Sequence, residues 1–70
     1  MPKRLFIASV TYEYPQAAPE TWRGEFVVGS PQTAAFRALR EARRAFARRR
    51  PSSIVVLLEM GGASDPEPTV

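Results

Sequence analysis

Ser30–Pro51, SPQTAAFRALREARRAFARRRP, decides the fold, because it is the only stretch of this chain that patterns as a long helix. Ser30 can accept from the free N–H groups of a first turn, and Pro31 suits the first helical position, where a missing N–H would have had no partner. At the helical angle, Ala35, Ala38, Leu39, Ala42 and Phe46 fall on one apolar stripe, with Phe36 expected to join them against a sheet. Arg37, Arg40, Arg44 and Arg48 fall on the opposite side. Pro51 ends the helix, since neither proline nor the residue before it is at home in one. The stretch therefore predicts about five turns with one face for a core and one for water or an acidic partner.

What flanks this helix reads as strands. Residues 4–14, RLFIASVTYEY, alternate in the strand period, with Phe6, Ala8, Val10, Tyr12 and Tyr14 on one face and Leu5, Ile7, Ser9, Thr11 and Glu13 on the other. PQAAPE, residues 15–20, holds two prolines and no period, so it is a loop. TWRGEFVVG, residues 21–29, alternates again, placing Trp22, Gly24, Phe26 and Val28 on one side. Facing the two aromatic sides together favours a hairpin register that pairs Tyr14 with Trp22, Val10 with Phe26 and Ala8 with Val28. It also sets Glu13 opposite Arg23 and Tyr12 over Gly24. A register two residues away, with Phe6 against Val28 and Val10 against Gly24, is the alternative.

SIVVLLEM, residues 53–60, is short, β-branched at its start and bounded by Pro51 and Gly61, which favours strand. With the helix returning the chain, the right-handed crossover rule places this strand beside the first. The expected fold class is α+β: a two-layer ββαβ sandwich whose three-stranded antiparallel sheet runs in the order 2-1-3 with the helix on one face. Residues 1–60 form this single domain, and 61–70 read as a disordered acidic tail, too poor in apolar surface to order itself.

Seventy residues bound the function as well. A chain this short buries only about 60% of its unfolded surface, and without cysteine or histidine it has no disulfide and no ordinary zinc site to staple it. The same absence removes the usual nucleophiles and neutral-pH bases. The five serines have plain roles in strand, cap or turn, and the four glycines form no phosphate-cradling loop. The expectation is a non-enzymatic protein with no catalytic residue, no metal site and no cofactor. No apolar run is long enough to span a bilayer and the N-terminus lacks the pattern of a signal peptide, so no membrane contact and a soluble, cytoplasmic location are expected.

Residues 1–60 hold all ten bases and only five of the seven acids, and seven arginines lie between Arg37 and Arg50. An arginine-rich, alanine-rich solvent face is also what a GC-rich genome writes without any functional demand. Arg48, Arg49 and Arg50 moreover suit the negative end of a helix dipole. Beyond that, Arg37, Arg40, Arg44 and Arg48 recur at spacings of three and four, lining up guanidinium forks for phosphates or carboxylates. Glu41 sits among them and offsets part of the field. These four are the candidate site for nucleic acid or another acidic partner.

The opposite sheet face raises a different demand. Leu5, Ile7, Val27, Val55 and Leu57 would point away from the helix, an apolar patch that a lone molecule should not leave in water. They are the candidate interface, with a homodimer, through the sheet face or an exposed strand edge, as the expected cover. A protein-interaction module or inhibitor using that face, steered by the arginines to an acidic surface, is the alternative function. In size and composition alone the chain resembles small accessory proteins of phages and mobile elements, including inhibitors of host defence such as anti-CRISPR proteins. That resemblance implies the inhibitor reading.

Overall fold

The computed structural model describes residues 2–47 and 49–61. It has two strands, a helix and a third strand: β1 (Arg4–Glu13), β2 (Glu20–Val28), α1 (Pro31–Ala45) and β3 (Ser53–Met60). The sheet order is β2-β1-β3, antiparallel throughout, with α1 across one face, as the hydrophobic periods require. Residues 62–70, the expected tail, lie outside the described residues. Gly61 does not start a tail: its N–H donates to the Leu5 carbonyl at 2.9 Å and extends the β1–β3 ladder by one step.

β1 is the spine of the domain. As the central strand it carries Phe6, Ala8, Val10 and Tyr12 into the core, all buried, on the face the alternation assigned to the helix. Above them α1 presents a row of alanines, Ala34, Ala38 and Ala42, each fully buried. Their spacing of four residues forms one ridge, and with only methyl groups on it the helix backbone approaches the sheet closely. Leu39 and Phe46 flank this ridge and close the core with Val56 and Leu58 from β3. Ala34 at the heart of the contact and Ala35 half-buried rotate the packed stripe slightly from the one that the sequence suggested.

The helix begins where its cap specifies. Ser30 is extended, its Oγ accepts from the Thr33 N–H at 3.2 Å and exchanges a hydroxyl bond with Thr33, and Pro31 follows. It ends at Ala45, not at Pro51 as the sequence suggested. Phe46 caps the C-terminus with its N–H on the Ala42 carbonyl, and Arg49 N–H then reaches the Phe46 carbonyl. The return to the sheet explains the early stop. Ser52 must meet the Glu13 carbonyl, to which it donates from both N–H and Oγ at 2.7 and 3.0 Å. Five more helical residues would carry the chain about 7.5 Å further along the helix axis.

The hairpin register differs from both registers that the aromatic faces suggested. Phe6 pairs with Phe26, Ala8 with Gly24, Val10 with Trp22 and Tyr12 with Glu20. Side chains keep their faces, because every shift of two preserves parity. What decides among the even registers is space: the Trp22 ring lies along its own strand over Gly24 and stacks at 5.9 Å from Phe26. The small pair Ala8–Gly24 leaves room for it. Tyr12 therefore does not cover Gly24, and Glu13 does not meet Arg23. Arg23 sits opposite Ser9, while Glu13 sits opposite Ser53 and accepts from its hydroxyl at 2.6 Å.

A Cβ at Gly24 would collide with the outer atoms of the Trp22 ring, a rigid group. Gly24→Ala is expected to push the indole off the sheet at a cost of about 1–2 kcal/mol. A red-shifted tryptophan emission together with a lower melting temperature would show it. Because Trp22 is the only tryptophan, the emission reports on this contact alone.

Candidate functional site

Three surfaces remain once the core is assigned. The first is the solvent side of α1. Arg37, Arg40 and Arg44 are exposed there, and Arg43 is exposed beside them. Arg48, the fourth residue of the expected array, lies outside the described residues. The helical rise spreads Arg37 to Arg44 over about 10 Å, so their guanidinium groups fan along one ridge. Among the described residues the only ion pair is Arg49–Glu20, at 3.4 Å. Glu41 is thus not within ion-pair distance of Arg37 or Arg44, and the positive field of this ridge is less compensated than the spacing of Glu41 suggested.

One residue of this ridge was misplaced by the sequence. Phe36 does not join the core; it is 72% exposed. With the packed ridge of Ala34, Ala38 and Ala42 centred on Ala38, position 36 lies roughly 160° away around the helix, one turn before Arg40. An arginine run with an aromatic ring at its N-terminal end differs from a merely charged surface, since it offers both forks and a flat apolar face. The spacing alone held this signal: residue 36 is two positions from Ala34 and Ala38, the least favourable offset for sharing their face.

The second surface is the outer sheet face. Val27 and Leu57 are 59% and 62% exposed, Val55 is exposed, and Leu5 and Ile7 are half-buried between the neighbouring strands. Leu5 lies opposite Val27, while Ile7 is flanked by Glu25 and Glu59, and Thr11 by Thr21 and Val55. The hydroxyls of Thr11 and Thr21 bond at 2.9 Å. The apolar patch is thus broken by acids and hydroxyls rather than continuous across the sheet.

The third lies at the hairpin-loop end. Tyr14 donates its hydroxyl to Glu20 Oε1 at 2.9 Å, and Arg49 holds the other carboxylate oxygen. This chain of contacts ties the end of β1, the start of β2 and the segment after the helix. Beside it is an open hollow of about 560 Å³ lined by Tyr14, Pro15, Gln16, Ala17, Arg49 and Arg50. Desolvation first, then the hydrogen bond to Glu20 and its charge, push the Tyr14 phenol above its ordinary value, with Arg49 opposing. A raised value means that the folded state favours the neutral phenol. Its contribution is therefore full below pH 10, the ordinary value, and is lost as pH rises through the folded one. Absorbance at 295 nm is expected to show a late-titrating tyrosine that Tyr14→Phe removes.

Among the described residues no cluster of acidic side chains is placed to hold a metal ion. No helix among them is long and apolar enough to cross a membrane. No known protein family, no curated protein and no solved structure matches this chain, and the arginine ridge with its exposed phenylalanine is the surface whose chemistry is most distinctive.

Proposed function

We propose that this is a non-enzymatic binding protein that lays the solvent side of α1 on nucleic acid or a nucleoprotein surface. The observation that carries this reading is the exposure of Phe36 among Arg37, Arg40, Arg43 and Arg44, with no acid at ion-pair distance from them among the described residues. Guanidinium forks supply sequence-independent phosphate contacts, each releasing a counterion. A phenylalanine ring supplies a stacking face for an unpaired base. Arg48 extends the same array by sequence spacing.

The test is fluorescence anisotropy with labelled single- and double-stranded oligonucleotides across a salt series. With three or four arginines each on one phosphate, affinity for duplex is expected to fall with a slope of about −3 on log axes. Phe36→Ala is expected to weaken single-strand binding several-fold and leave that slope unchanged. Absence of binding at low salt would overturn the reading.

A second reading rests on the exposure of Val27 and Leu57. In it the outer sheet face docks a protein partner or a second copy of the chain, with the arginines steering encounter with acidic surfaces. Val27→Asp is the variant that separates it, since it sits far from the arginines on the opposite layer.

A further inference from the structure

We infer that two copies of this chain pair through the free edge of β3, forming one continuous six-stranded sheet with both helices on the same side. Among the described residues the sheet order leaves β3 with β1 on one side and no strand on the other. In an antiparallel ladder, alternate residues turn their backbone groups toward a given neighbour. Gly61 donates to Leu5, so Glu59, Leu57 and Val55 also face β1, and Met60, Leu58, Val56 and Ile54 turn theirs to the open edge. This edge runs eight residues in unbroken register. It carries none of the devices that keep strand edges apart: no lysine, no proline, no bulge, and a single charge, Glu59.

The exposed side chains separate edge pairing from packing by the sheet face. Of the large apolar residues left in water, Ile54 and Met60, at 42% and 58% exposed, lie on the helix side of β3, whereas Val55 and Leu57 lie on the outer side. A second molecule stacked on the outer face would cover only the latter two. A strand laid alongside β3 reaches both sides at once, since its own side chains alternate in the same way.

Charge selects the direction. Arg49 and Arg50 lead into β3 and Glu59 stands near its end, so parallel pairing would set each copy's arginines beside the partner's arginines and Glu59 beside Glu59, whereas antiparallel pairing keeps these like charges apart. Centred on Leu57, the two-fold places Leu57 against the partner's Leu57 and Ile54 against the partner's Met60, so that the most exposed residues on each side of the strand cover one another. The contact is a narrow strip at the small end of specific interfaces, so the pairing is concentration-dependent. It is independent of what the arginine ridge binds.

Because the chain has no cysteine, single introduced thiols report cleanly. Ile54→Cys and Met60→Cys chains, mixed at tens of micromolar and oxidised with copper phenanthroline, are expected to form a disulfide-linked heterodimer, with neither variant linking to itself. Opposed residues in such a ladder fall within disulfide reach. Leu57→Cys is expected to link to itself, and unmodified protein to scatter light as twice its 7.8 kDa chain. Circular dichroism matching the unsubstituted chain establishes that each variant is folded. A monomeric mass would overturn the inference, and so would Leu57→Cys linkage without any linkage in the mixture, which is the result for stacked sheet faces.

Discussion

Arg40→Glu combined with Arg44→Glu is expected to lower duplex affinity at least about a hundredfold at low salt and to flatten the salt slope from about −3 to −1 or less. Both side chains project into water from the ridge that carries Arg37 and Arg43. Replacing them removes two phosphate contacts and adds two like charges facing the backbone of the nucleic acid. The fold should not notice, because neither residue makes an ion pair among the described residues, and surface changes of this kind stay within about 0.5 kcal/mol. Anisotropy across the salt series, with a thermal melt of the same samples, checks both halves. An unaltered slope would mean that the ridge is a solvated helix face and nothing more.

Phe46→Ala is expected to cost about 3 kcal/mol, the low end for phenylalanine truncation because the ring is only half-buried. The ring lies 5.0 Å from that of Tyr12, tilted at 60°, and seals the end of the core where the helix stops. Its loss removes both the stacking and the cover over the central strand. For a domain of this size that is a fall of about 15 °C in melting temperature, and most of the stability that so small a core supplies. Differential scanning calorimetry measures it. Phe46→Leu should recover part of the loss, since it restores volume but not the ring contact.

The elements of the fold that could be read in the sequence are those set by local chemistry. Ser30 and Pro31 fix a helix start within one turn, and alternation in 4–14 and 53–60 fixes which side chains share a face, because those relations depend on near neighbours alone. The hairpin register depends on whether Trp22 finds room over Gly24, a question of volume that parity does not answer. The helix end depends on where Ser52 must meet Glu13, thirty-nine residues away. Of the candidate site, the arginine positions followed from period, whereas Phe36 was hidden because hydrophobicity assigns it to a core that geometry denies it. Ile54 and Met60 were hidden likewise: on an edge strand, the side beneath the helix is only partly covered.

The position of β1 also shapes how the molecule assembles in time. Its partner β2 is one short loop away, but β3 reaches it across 40 to 54 residues of chain, from Glu13–Ser53 to Phe6–Met60. Pairings that close so long a loop carry an entropic cost before any contact rewards them, and they slow folding. The hairpin and the capped helix should therefore form early, leaving one side of β1 vacant until β3 arrives. During that interval the vacant side accepts any β3, its own or that of another copy. Rapid refolding at high concentration thus favours exchanged strands, and slow dilution favours the closed single chain.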